Sequence, residues 1–159
     1  MKNLILITIS TFAIFLSGCE SNISDKSIGF VAGENSDAKW HLGTQEAIDI
    51  VNIVDELWTN QDYESMRQYF ADSVEVWRPN GDYTNTFNSF IESISSGDNN
   101  ATWSYNYAFS VDLDPSIGGE HVQAGFQVTY PASDDKEEYT DLQHESYYVV
   151  DGKIITLRQ

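Results

Sequence analysis

From Thr102 to the end of the chain, apolar residues recur at every second position. A period of two does not fit a helix, and it calls for paired strands. In Thr102 to Leu113, the residues Trp103, Tyr105, Tyr107, Phe109, Val111 and Leu113 alternate with Ser104, Asn106, Ser110 and Asp112, which places the first set on one face. Asp114-Pro115-Ser116-Ile117-Gly118-Gly119 turns the chain, and Val122, Ala124, Phe126, Val128 and Tyr130 repeat the pattern. After a polar loop at Pro131 to Lys136, Tyr139 to Val150 forms a long third strand. Asp151-Gly152 is a two-residue hairpin signal, and Lys153 to Arg158 closes a four-stranded antiparallel meander.

The preceding segment has the other period. Thr44 is an N-cap, and Ala47, Ile50, Val51, Val54, Leu57 and Trp58 recur at helical spacing as far as Asn60. Asp62 caps a shorter helix carrying Tyr63, Met66 and Phe70 on one face. Ser73 to Arg78 alternates Val74, Val76 and Arg78 against Glu75 and Trp77, as a strand stopped by Pro79-Asn80-Gly81. A third helix from Thr86 to Ser95 presents Phe87, Phe90, Ile91 and Ile94. The expected fold class is therefore α+β, with three N-terminal helices packed on a curved antiparallel sheet.

Residues 1–38 read differently. Lys2 is followed by an apolar run from Leu4 to Leu16, about thirteen residues, against the roughly twenty that a spanning helix needs. It ends in Leu16-Ser17-Gly18-Cys19 and is expected to be a signal peptide. These four residues resemble the lipobox of bacterial lipoproteins, which implies cleavage before Cys19 and acylation of its thiol. Cys19 is the only cysteine, so no disulfide can form within the chain. The expected organisation is a signal peptide at 1–18, a lipidated flexible tether at 19–38 rich in Ser, Asp, Asn and Gly, and one domain at 39–159. The expected location is the bacterial cell envelope, with the domain lipid-anchored to a membrane outside the cytoplasm.

Charge excludes some partners. The chain has 25 acidic residues against eight Lys and Arg, a formal charge of −17, made one unit more negative when Lys2 leaves with the signal. Such a surface repels nucleic acid and anionic lipid, both of which need a basic patch.

The order of elements, with Asn60-Gln61-Asp62-Tyr63 between the first helices, Tyr69-Phe70-Ala71-Asp72-Ser73-Val74 leading into the first strand and Asp151-Gly152-Lys153-Ile154 near the end, resembles the nuclear transport factor 2-like (NTF2-like) superfamily. Its SnoaL-like branch is the most similar, and the resemblance runs from Gly43 to Gln159. It implies a cone in which the sheet wraps the helices around a pocket, often with dimerisation through the outer sheet face. The superfamily includes isomerases, cyclases, dehydratases and epoxide hydrolases as well as members that only bind, so the fold does not carry the function. In the ketosteroid-isomerase-like members the general base lies just before the proline ending the first strand, a position that matches Arg78. Their oxyanion-donating tyrosine matches Val54. Both groups are missing, which argues against that chemistry.

Candidate pocket residues are Trp58, Trp77, Arg78, Tyr105 and His144. Aromatic side chains offer area to an apolar ligand, and an arginine at the pocket's mouth can hold a carboxylate in a bidentate pair. For catalysis the candidates are His144 with Asp141 or Glu145, since an imidazole titrates near neutrality and can work with a carboxylate. His41, His121 and His144 show no metal-ligand spacing, and the acidic stretch Asp134-Asp135-Lys136-Glu137-Glu138 lacks the order of a calcium loop, so no metal or cofactor is expected. The function expected from these features is binding of a small molecule or protein partner. The alternatives are a cofactor-free lyase, isomerase or hydrolase in the cone, and a self-association or docking module on the outer sheet face. Binding alone predicts an enclosed, mainly apolar cavity. Catalysis predicts titratable groups within hydrogen-bond reach, and association predicts exposed apolar side chains on the convex face.

Overall fold

A computed structural model of the chain describes residues 27–33, 36–96 and 100–159. The apolar run, Leu16 to Gly18 and Cys19 lie outside the described residues. None of the described helices is long and apolar enough to cross a membrane.

Helix α1 spans Gln45–Thr59. It begins where expected because the Thr44 hydroxyl accepts from the Ala47 N–H at 3.3 Å, satisfying one of the free donors of the first turn. Its stripe Ala47, Val51 and Val54 is buried. The helix stops at Asn60, where Gln61 takes a left-handed φ of 57° and turns the chain. Asp62 then caps α2 (Tyr63–Met66) by accepting from the Ser65 N–H. This helix is shorter than its apolar spacing suggests. It tightens into a 3₁₀ turn at Arg67–Tyr69, and Phe70 belongs to the next strand.

That strand, β3 (Phe70–Trp77), follows two short pieces, β1 (Ser27–Ile28) and β2 (Trp40–Leu42). The first pairs with the second, so the segment read as a tether supplies one short edge strand to the sheet. After β3 come β4 (Tyr83–Thr84), helix α3 (Phe87–Ser95, capped by Thr86) and the meander β5 (Thr102–Asp112), β6 (Glu120–Tyr130), β7 (Tyr139–Val150) and β8 (Lys153–Arg158). The sheet order is β1-β2-β5-β6-β7-β8-β3-β4. All pairs are antiparallel except β3 with β8, so the curved sheet is mixed and not wholly antiparallel. The reason lies in the connection. A hairpin forces antiparallel pairing, but β3 reaches the meander only through α3, and it joins the free edge of β8 in the direction the helices set.

One irregularity changes which side chains enter the cone. Tyr105 pairs with Phe126 but Tyr107 pairs with Gly125, so β5 spends an extra residue at Asn106. Such a bulge shifts the alternation by one. Trp103 and Tyr105 face inward as expected, and the Tyr105 ring stacks on Phe126 at 4.8 Å. Beyond the bulge Tyr107 and Phe109 face outward, 46% and 50% exposed, and the buried positions are Ser110 and Asp112. Bare backbone at Gly125 accommodates the displaced Tyr107 ring, which lies where a Cβ would stand.

The core lies between the helices and the concave face. Val51 and Val54 of α1, Met66, Phe70, Val74 and Val76, Phe87 and Phe90 of α3, and Val122, Ala124, Ile154 and Leu157 are buried together. Phe90 packs edge-on against Trp58 at 5.3 Å and, tilted, against Phe70 at 5.8 Å.

Candidate functional site

A cavity of about 100 Å³ opens between the end of α1, the end of β3 and the concave face of β5 to β7. One water requires roughly 10–15 Å³ on this measure, so the space admits a small organic molecule. Trp58, Trp103, Phe126 and Val128 supply apolar walls. Pro79 and Ala101 add to these, and the other lining residues are polar: Asp55, Arg78, Gln143, Glu145 and Gln159, with the phenols of Tyr130 and Tyr147. The mainly apolar cavity expected for simple binding is not what the fold builds.

Each polar group is placed by its element. Asp55 projects from the inner side of α1, and its Oδ1 accepts from the Trp103 indole N–H at 2.8 Å. Glu145 is carried inward by the alternation of β7, between Gln143 and Tyr147. Its two oxygens accept from the Tyr147 hydroxyl and from the Gln159 amide, the latter at 2.6 Å. Gln159 is held by its backbone N–H, which donates to the Trp77 carbonyl at 3.0 Å. Gln143 donates to the Tyr130 hydroxyl at 2.6 Å.

The electrostatics follow from burial. Loss of water raises the Glu145 carboxyl above its usual range. Its bonds from Tyr147 and Gln159 and the Arg78 charge oppose that rise, and Asp55 adds to it. Burial also raises Asp55, against the Trp103 bond. The Tyr105 phenol is pushed up to about 12, first by burial and then by the neighbouring Asp55 and Glu145. Tyr147 is raised well above the ordinary phenol by burial and by Glu145. The site thus gathers a buried carboxyl whose ionised form is disfavoured, a half-exposed carboxyl at Asp55 and two phenols that hold their protons.

Three buried atoms of this group have no hydrogen-bond partner among the described residues: Arg78 Nε, the Tyr105 hydroxyl and Gln159 Oε1. The first donates, the second can do either and the third accepts.

The fold brings together Trp58, Arg78, Tyr105 and Glu145 among the residues expected at the site. It does not bring in Trp77, because inward Val76 and Arg78 leave the residue between them on the outer face. There the Trp77 ring packs against Tyr83 at 5.1 Å and lies under the Arg158 guanidinium at 4.4 Å. His144 is likewise outside, since its neighbour Glu145 takes the inward position, and its Nδ1 is 2.9 Å from the Tyr107 hydroxyl. Asp141 is exposed, and its carboxylate accepts from the Leu142 N–H. His144 with Asp141 is therefore not a pair in the cone. His41 and His121 are also kept apart from His144, with His121 stacked on Tyr148 at 4.5 Å. The group missed in the sequence is Asp55, bonded by Trp103, together with Gln143, Tyr147 and Gln159.

Solved structures share this architecture. The chain is similar to the S. rosetta CaMKII hub, with a TM-score of 0.58 over 80% of this chain and 96% of that one at 13% identity. It is similar to an M. tuberculosis LEH-like epoxide hydrolase, with a TM-score of 0.54 over 72% and 81% at 13% identity. The chain has the NTF2-like fold. The association domain of C. elegans CaMKII matches the same NTF2-like cone, with a TM-score of 0.55 over 72% of this chain and 92% of that one at 12% identity. No protein-family model matches the chain, and no curated protein matches it by sequence. Fold is what these likenesses carry, and the NTF2-like cone is seen here in proteins that assemble and in one that hydrolyses.

Proposed function

We propose that the protein is a bacterial envelope lipoprotein whose cone binds a small polar organic molecule. The observation that carries the binding reading is the set of unpartnered atoms on Arg78, Tyr105 and Gln159. Buried polar groups are nearly always paired, and two of these residues, Arg78 and Gln159, line the cavity, with Tyr105 stacked on the lining residue Phe126, which points to a bound molecule that completes them. The anchor rests on Leu16-Ser17-Gly18-Cys19 and the short apolar run before it. Two or three acyl chains at about 0.8 kcal/mol per buried methylene hold a protein stably at a bilayer.

Two experiments test this. The full-length protein in detergent is screened against small polar cyclic compounds by tryptophan fluorescence, since Trp58 and Trp103 line the cavity. Hits should be lost in Val128→Phe, which fills the space; hits that survive it, or no saturable hit at all, refute the reading. The anchor is checked by mass spectrometry of the mature N-terminal peptide and by fractionation of Cys19→Ala. A wild type without acyl groups overturns it.

A second reading, acid-base catalysis in the cone, is favoured by Glu145 and Tyr147 sharing a hydrogen bond near Asp55. A third, self-association through the convex face, is favoured by exposed Tyr107, Phe109 and Leu142 there, and by the hub and association domains among the similar structures.

A further inference from the structure

Arg78 is the one cation among the residues that line the cavity. In a chain with 25 acidic side chains and eight basic ones, an arginine has many carboxylates to choose from. Among the described residues, the Arg78 guanidinium instead reaches the carbonyl and hydroxyl of Ser93 at 3.3 and 3.4 Å, both long bonds to neutral oxygen, and leaves Nε buried and without a partner. The carboxyl on the facing wall acts on Arg78 only through space: the Glu145 oxygens are bonded by Tyr147 and Gln159, while the guanidinium's bonds go to Ser93. Burial also disfavours the ionised form of Glu145. Asp55 is turned to Trp103. The cavity therefore holds a positive group and, at Gln159 Oε1, an acceptor without a partner among the described residues, flanked by the indoles of Trp58 and Trp103.

We propose that the cone's ligand is a small single-ring carboxylic acid with a hydroxyl or amine donor. Its carboxylate pairs with Arg78, its ring lies against Trp58 and Trp103, and its donor meets Gln159 Oε1. This rests on the binding reading above and narrows it. A cavity of about 100 Å³ is small beside the roughly 300–1,000 Å³ of pockets for larger ligands, which sets the scale at one ring. A monoanion is favoured over phosphate, because a second negative charge would meet both Asp55 and the field of a chain with formal charge −17. Arginine suits the task because its planar fork matches a carboxylate, which a lysine cannot do.

The test uses benzoate, 4-hydroxybenzoate and cyclohexanecarboxylate, each beside its neutral primary amide, titrated into the full-length protein in detergent at constant ionic strength. At least one acid should bind saturably and about tenfold or more tighter than its amide, as a charge-assisted pair requires. Arg78→Gln should bring the acid down to the affinity of the amide and leave the amide unchanged, while Arg78→Lys keeps only part of the preference. Circular dichroism of each variant establishes that the fold is intact, and the acid-to-amide ratio in wild type decides the matter even if a variant does not fold. Amides that bind as well as their acids overturn the carboxylate assignment and leave the pocket standing. Binding of none of the six overturns the proposal, while hits of another class that are lost in Val128→Phe would still support the pocket.

Discussion

The bond from Trp103 to Asp55 fixes one wall of the cavity, and a double-mutant cycle measures it. Trp103→Phe removes the indole N–H that donates to Asp55 Oδ1 at 2.8 Å, along with part of the edge-on packing on Trp58 at 6.4 Å. Asp55→Asn keeps an acceptor oxygen but removes the charge. A hydrogen bond to a charged group contributes about 1.5–3 kcal/mol and a neutral one about 0.5–1.5. Asp55 is only half-buried, so the lower ends apply, and Trp103→Phe should cost about 1 kcal/mol more in wild type than in Asp55→Asn. The lost packing is common to both backgrounds and cancels. The assay is urea denaturation of all four proteins at pH 7 and again in acid. Burial raises the folded-state pKa of Asp55 above its ordinary 3.8, so this group's contribution is fully present below the unfolded value and declines as pH rises through the folded one. The coupling has the opposite dependence, because the indole N–H favours the ionised form. It should shrink in acid, at milder pH than for an ordinary aspartate. A coupling below about 0.3 kcal/mol at pH 7, or one indifferent to pH, refutes the geometry.

Glu145→Gln tests the buried carboxyl. The introduced amide can accept from Tyr147 and donate to the free Gln159 Oε1, so the fold should persist. The folded-state pKa of Glu145 lies above 4.5, so wild type should lose stability relative to the variant as pH rises past that value, and parallel pH curves would refute the assignment. Gly125→Ala tests the bulge: the new Cβ would overlap the Tyr107 ring and break its bond to His144, for about 1 kcal/mol by chemical denaturation. The same change should be close to neutral in Tyr107→Ala, and an equal cost in both backgrounds would refute the outward turn of Tyr107.

The elements of the domain were largely legible because their signals are local. A Thr44 or Thr86 cap, a 3.6-residue stripe, and a two-residue alternation ended by Asp151-Gly152 each depend on neighbours in sequence. The errors arose where a distant contact decides. Asn106 is polar in a polar position, and nothing beside it announces a bulge. The cause is across the sheet, at Gly125, where bare backbone admits the Tyr107 ring. The one signal left unread was Asp55. It lies four residues from Val51 and three before Trp58, on the buried stripe of α1, where a carboxylate has no packing role. Gln159 could not be found this way, since its place beside Glu145 depends on the parallel pairing of β3 with β8.

The bulge also separates two surfaces that a regular strand would have merged. Without it, Trp103, Tyr105, Tyr107 and Phe109 would all line the cone, and two more large rings would occupy the concave side around Ala124 and Phe126, close to the cavity. With it, the inner row beyond Tyr105 becomes Ala108, Ser110 and Asp112, and the two displaced rings join Leu142 and His144 on the convex face. A ligand in the cone and a partner on the convex face would therefore meet opposite sides of the same strands. Substitutions at Glu145 or Arg78 should alter binding without changing oligomeric state, and substitutions at Phe109 or Leu142 should do the reverse. Coupling between the two would have to pass through β7, where Glu145 faces in and His144, the next residue, faces out.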